Sequence, residues 1–220
     1  MEETYRTLEA PCTGEFRDRG SKFLAYAFPL NADTEWASCL ESVRKEHPKA
    51  THHCYAYRIG FDGNQFRAND DGEPSGTAGK PILGQIDSFR LSNVLVVVVR
   101  YFGGTLLGAG GLVQAYKTAA AAALGNGAIT ERAIEETFEL AFHYALMNDV
   151  MNALKKTEAR FVAQDFGDSA RVRIAFPRAR TAENFLRLKA FIAKVHLEEA
   201  ALLGDINGLQ IQRIEEGKPG

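Results

Sequence analysis

The chain is poor in cysteine, lacks an excess of charge of either sign and has no long apolar run. Cys12, Cys39 and Cys54 are odd in number and widely separated, with no C-x-x-C pair, which excludes a zinc knuckle and a thioredoxin-type couple. Reduced, structural thiols of a cytoplasmic protein are the expectation. The formal net charge is -2, and residues 1–130 and 131–220 each hold 13 basic and 14 acidic side chains. Any nucleic-acid surface must therefore be a local patch. The longest apolar stretch, Val94 to Val99, is far shorter than a bilayer span. The first residues, MEETYRTLEAP, have no apolar core of a signal peptide. No membrane association is expected.

What remains is ordinary globular composition, with 45% apolar and 25% charged residues, enough for one or two buried cores. Tyr5–Ala10, Glu15–Arg19 and Lys22–Leu30 carry strand chemistry between turn-formers. Trp36, Leu40, Val43 and His47 recur at helical spacing, with Asp33 or Thr34 as cap and Pro48 as stop. Thr51–Phe61 is a strand turning at Gly63-Asn64 into Gln65–Ala68. A polar loop then leads to a short helix carrying Ile82, Leu83, Ile86 and Phe89. Val94–Arg100 is a central strand buried on both faces, followed by a glycine-rich loop and an alanine-rich helix over Val113–Leu124. Beyond a boundary near Gly127–Glu136 the order becomes strand, helix, strand, strand, helix, strand: Thr137–Phe142, Tyr144–Lys156, Ala159–Phe166, Ala170–Phe176, a helix capped by Thr181, and Leu209–Ile214. Glu215–Gly220 is expected to fray. The class is α+β. Residues 1–130 form a domain with the glycine-rich motif, and residues 131–220 form a ferredoxin-like βαββαβ sandwich.

Three segments hold the chemistry. Gly103, Gly104, Gly108, Gly110 and Gly111 stand where a strand passes into a helix. Unpaired N–H groups at a helix start favour an anion, with Arg100, Tyr101 and Lys117 as wall residues. The run matches neither a dinucleotide fingerprint nor a phosphate-binding Walker loop: Val113 stands where the third glycine would be, and Gly79-Lys80 is followed by Pro81. The second segment gathers Asp70, Asp71, Glu73, Ser75, Thr77 and Lys80. It is a positioned polar loop with acids able to serve in general acid–base chemistry, but without a calcium-loop spacing. The third is His52-His53-Cys54-Tyr55-Ala56-Tyr57. Its adjacent histidines point to opposite faces, so a shared metal is not expected. Tyr55 and Tyr57 on one face, beside His53, are expected to pack or hydrogen-bond, with a stacking platform for bases as the alternative, and Cys54 with a histidine remains a candidate catalytic pair.

At these segments the chain resembles the YigZ/IMPACT family, in its bacterial two-domain form. The resemblance rests on His52–Ala56, on Asp70-Asp-Gly-Glu-Pro-Ser-Gly-Thr-Ala-Gly-Lys-Pro81 and on Val99-Arg-Tyr-Phe-Gly-Gly-Thr-Leu-Leu-Gly-Ala-Gly-Gly-Leu112. It implies a first domain like the fourth domain of the translocation elongation factor and like ribosomal proteins, and a second like that factor's fifth domain. It implies a link to translation or RNA and supplies no catalytic residue. Eukaryotic relatives restrain a starvation-responsive kinase, a role tied to an extra N-terminal domain and not carried over here.

The expectation is a non-enzymatic or regulatory, monomeric protein without cofactor or metal, binding RNA or a ribosome-linked partner. Its surface would comprise Arg100, Tyr101, Gly103, Gly104, Gly108, Gly110, Gly111 and Lys117, with Lys80, His52 and His53 alongside. The alternative is an enzyme acting on a small phosphorylated or acyl substrate at the same place, with Asp71 or Glu73 as base or magnesium ligand. A scaffold role for the second domain's open sheet, presenting Phe138, Phe161 and Arg173, is a third option.

Overall fold

The computed structural model describes residues 3–31, 34–61, 64–167 and 169–214. The turn at Gly63, the candidate cap Asp33 and the tail 215–220 lie outside these. The class is α+β and the architecture has two compact units, Thr4–Arg132 and the chain from Ala133 onward, with Glu3 in the second.

In the first unit a five-stranded antiparallel sheet runs in the order β2-β3-β6-β4-β5. The strands are β2 (Cys12–Asp18), β3 (Ser21–Pro29), β4 (His52–Ile59), β5 (Gln65–Asn69) and β6 (Val94–Tyr101). β6 is central, and its apolar run follows from helices on both faces. Val94, Val96 and Val98 face α2 (Gly79–Ser88) and α3 (Gly108–Asn126), whereas Leu95, Val97 and Val99 face α1 (Glu35–Glu46). Strand parity thus divides one run between two cores. The alanines of α3 let its backbone approach the sheet closely. A Cβ on Gly14 of β2 would stand 2.3 Å from the Ala123 nitrogen, so only glycine fits there. β1 (Thr4–Leu8) pairs with β7 (Ile129–Ala133) in a separate two-stranded ribbon. The sequence reading anticipated β1 but not β7, because five residues with two charges carry no strand pattern until their partner is known.

The second unit has the four-stranded antiparallel order β11-β8-β10-β9, from β8 (Glu135–Phe142), β9 (Arg160–Phe166), β10 (Ala170–Pro177) and β11 (Leu209–Ile214). Its core gathers Phe138, Leu140 and Phe142 of β8 and Val172, Ile174 and Phe176 of β10. Val150 and Leu154 of α4 (Met147–Lys156) and Leu188 and Ile192 of α5 (Thr181–Ala193) complete it. Phe138 therefore does not lie on the open face. It is opposite Ile174 and meets Phe185 edge-on at 4.6 Å. Phe161 also packs against the core. Arg173, exposed and paired with Glu139 at 2.9 Å, does face outward. A short helix, α6 (Leu197–Leu202), was not foreseen; six residues are too few for a helical period to register. Thr181 begins α5 rather than capping it, and its hydroxyl donates to the Pro177 carbonyl.

Candidate functional site

The polar segment 70–78 is built around Asp70. Its carboxylate accepts the backbone N–H groups of Gly76, Ala78 and Gly79 at 2.9, 3.0 and 2.8 Å, which satisfies donors at the start of α2. Burial raises its pKa, but these N–H groups and Lys80 outweigh that and hold it below the ordinary carboxylate value. Gly79 permits the close packing, since a Cβ there would lie 2.5 Å from the Asn69 nitrogen. Asp71 sits at positive φ and turns its carboxylate to the His53 N–H at 2.6 Å, with Arg44 at 3.5 Å. Thr77 is buried and donates to the Pro74 carbonyl; Ser75 and Lys80 are exposed.

Glu73 is the centre of a buried network. Its Oε1 accepts from Arg100 Nη1 at 2.6 Å and from the Tyr116 hydroxyl at 2.8 Å, and His52 Nε2 lies 3.8 Å away. Arg100 is 5% exposed and stands beside the Phe23 and Phe102 rings at 5.4 and 5.5 Å, with Nη2 towards Ser21 Oγ. Its Nε has no acceptor among the described residues. The arginine named as a wall residue thus carries its charge beneath the surface, neutralised by Glu73. His52 donates from Nδ1 to the Asp71 carbonyl and His53 from Nε2 to the His47 carbonyl, on opposite faces of β4. Burial lowers the pKa of His53 despite Asp71 nearby. Tyr101 is half-buried, its hydroxyl 3.0 Å from His47 Nδ1.

The structure decides between alternatives that the sequence left open. Tyr55 is buried and stacked on Trp36, and Tyr57 packs against the same indole, so neither offers a face to a base. Cys54 is fully buried, 2.9 Å from the Asp70 carbonyl and 3.3 Å from the Tyr116 hydroxyl. Burial pushes its thiol far above the ordinary value, which denies it the thiolate that a nucleophile needs. Among the described residues no cluster of three or more His, Cys, Asp or Glu side chains is placed to hold a metal ion, and no helix is long and apolar enough to cross a membrane.

The glycine run divides into unlike parts. Gly103 is a packing glycine: a Cβ would fall 1.9 Å from the Gly20 carbonyl carbon, and its N–H donates to Ser21 Oγ at 3.2 Å. Gly104 and Gly108 need positive φ, at 85° and 72°. Gly108, Gly110 and Gly111 lie in the first turns of α3, which starts five residues earlier than the alanine-rich segment suggests. A Cβ on Gly110 would meet nothing within 4 Å. From Phe102 to Gly110 the chain is exposed except Leu107, and among the described residues no acceptor meets the N–H groups of Gly104, Thr105, Leu106 or Leu107. Lys117 is exposed farther along α3. The residues missed by sequence reasoning are Phe102 and Leu106, 46% and 82% exposed. Large apolar side chains within a glycine-rich loop were the available signal.

All the candidate residues fall within positions 19–124, which match the Impact N-terminal domain. The chain is 34% identical over 191 residues to the IMPACT family member YigZ of Escherichia coli, covering 86% of this chain and 94% of that protein. The chain belongs to the YigZ/IMPACT family. The family member YvyE of Bacillus subtilis is likewise 34% identical, over 158 residues, covering 72% of this chain and 73% of that one. A crystal structure described as that of a hypothetical protein superimposes with a TM-score of 0.78 at 32% identity, covering 99% of this chain and all of the other.

Proposed function

We propose that this YigZ/IMPACT member is a translation-associated regulatory protein that binds single-stranded or ribosomal RNA along the Phe102–Gly110 segment. The observation that carries the reading is the group of backbone N–H donors without acceptors on the exposed residues Gly104–Leu106, running into the positive end of α3. Phosphate oxygens would accept from these donors, and the open face of Phe102, its ring near the Arg100 guanidinium, would stack on an unpaired base. Family membership supports the link to translation. The order β11-β8-β10-β9 with two helices packed on one face supports a ferredoxin-like second domain. The kinship of the first domain with the fourth domain of the translocation elongation factor rests on the family resemblance. The enzymatic alternative is less favoured, because Asp71 and Glu73 already accept hydrogen bonds from the His53 N–H and from Arg100.

Gly110→Glu tests the reading without disturbing the fold. The position has open space around it, and an acid in the first turn suits the helix dipole while repelling phosphate. Titration with a labelled single-stranded oligoribonucleotide at low salt should show binding that weakens as salt rises. Gly110→Glu should lower affinity at least about tenfold, and Phe102→Ala by about 1–3 kcal/mol. Binding unchanged in both variants, or absent in the parent, overturns the proposal.

A further inference from the structure

The two edges of the second unit's sheet are not equivalent. β9 is the edge strand next to β10, and its register is broken between Arg173 and Ile174, a bulge of the kind that protects an edge from further pairing. β11 forms the other edge. Its six residues run in unbroken register against β8, and among the described residues no strand pairs with its outer side. It contains no proline. Its one charged side chain, Arg213, is opposite Phe138 and paired with Glu136 at 2.9 Å, towards the end of the strand away from Leu209, so the stretch Leu209–Gln212 carries no charge.

A cavity adjoins this unguarded edge. Leu209 and Ile211 are opposite Phe142 and Leu140, which belong to the buried core, so both project to the helix-covered face. Leu140 is fully buried, yet Ile211 is 44% exposed, because the helical cover stops short of the edge. The space left is about 480 Å³, walled by Phe185, Leu188 and Ile192 of α5, by Leu209 and Ile211, and by Ile206. That volume is in the range of ligand pockets. The charged lining residues, Lys189 and Asp205, are opposite in sign and select no net charge.

We propose that this cavity and the β11 edge together dock an extended, uncharged peptide segment with apolar residues at alternate positions, which joins the sheet as a fifth strand. The choice of occupant follows from the two walls acting together. The Leu209 N–H is already taken by the Ile206 carbonyl at 3.1 Å, but the outward N–H and C=O groups of Ile211 and Arg213 form a short row that only another extended backbone satisfies in series. Side chains of an added strand recur on one face every second residue, about 6.6–6.8 Å apart, which delivers successive apolar groups to the cavity. A compact apolar molecule would fill the cavity and leave the edge unpaired. This site is independent of the RNA surface proposed for the first unit.

The test uses the full chain and a fluorescein-labelled heptapeptide of alternating valine and threonine. Anisotropy should show saturable binding, with amide shifts and slowed hydrogen exchange across Leu209–Ile214. Ile211→Lys, at a half-exposed position that the far-UV spectrum will show to be folded, should weaken binding at least about tenfold. N-methylating every second peptide amide, which leaves the protein untouched, should abolish binding. Absence of binding up to about 1 mM peptide, or binding indifferent to N-methylation, overturns strand addition; the latter would point to a simple apolar ligand. A parent chain that dimerises in sedimentation while Ile211→Lys stays monomeric also overturns it, by assigning the edge to a second copy.

Discussion

At the scale of single residues, the consequential pair is Glu73 and Arg100, with side chains 3% and 6% exposed. Two charges this deep are stabilising only as a pair, because each alone keeps its desolvation penalty. Glu73→Gln should cost about 3–5 kcal/mol in urea unfolding, whereas Glu73→Leu combined with Arg100→Met should recover most of the loss. A double variant as weak as the single one would show that packing, not charge pairing, governs the site. Asp70 acts through pH. Its folded pKa lies below the ordinary 3.8, so the unfolded chain takes up a proton first as pH falls. The stabilisation is therefore present above that value and disappears as pH drops through the folded pKa. Thermal melts of the parent should decline as pH falls below about 4. The decline should be shallower for Asp70→Asn, which starts from a lower stability because it cannot accept all three backbone donors.

At the scale of elements, the passage from β6 through the glycine loop into α3 sorts glycines by purpose. Gly103→Ala would drive a methyl group into the Gly20 backbone and should destabilise by about 1–3 kcal/mol or more. Gly110→Ala meets open space and should stabilise by up to about 1 kcal/mol through helix propensity. Thermal unfolding of the two variants checks both signs. The structure also explains why sequence reading placed this helix start late. Gly108, Gly110 and Gly111 are weak helix formers, but α3 is held against the sheet by Leu112, Ala115, Tyr116 and Ala119, and tertiary packing overrides their propensity.

At the scale of the molecule, two sets of buried cores lie in separate units: one around β6 and a second between the β8–β11 sheet and its helices. Trp36, the single tryptophan, reports only the first through its stacking on Tyr55. Leu154→Ala removes a fully buried side chain from the second and should cost about 2–5 kcal/mol there. Far-UV circular dichroism should then show an earlier partial transition while the Trp36 fluorescence midpoint stays in place. A concerted shift of both signals would mean that the units unfold as one.

Much of the fold was legible because its signals are local. The valine run of β6, the stripe of Val150 and Leu154, and the parity of Phe138, Leu140 and Phe142 record which side of each element is buried, and short-range periodicity suffices to read it. The three motifs were legible as unusual strings of glycine, acid and histidine. Their roles were not, because role depends on partners distant in the chain. Only tertiary structure decides that Glu73 meets Arg100, that Trp36 covers Tyr55, that β7 finds β1 more than a hundred residues away, and that the helical cover leaves Ile211 half exposed. Residue type and spacing determine what a side chain is able to do. Burial and neighbours, which the folded chain alone supplies, determine whether its charge is neutralised inside or presented to a partner.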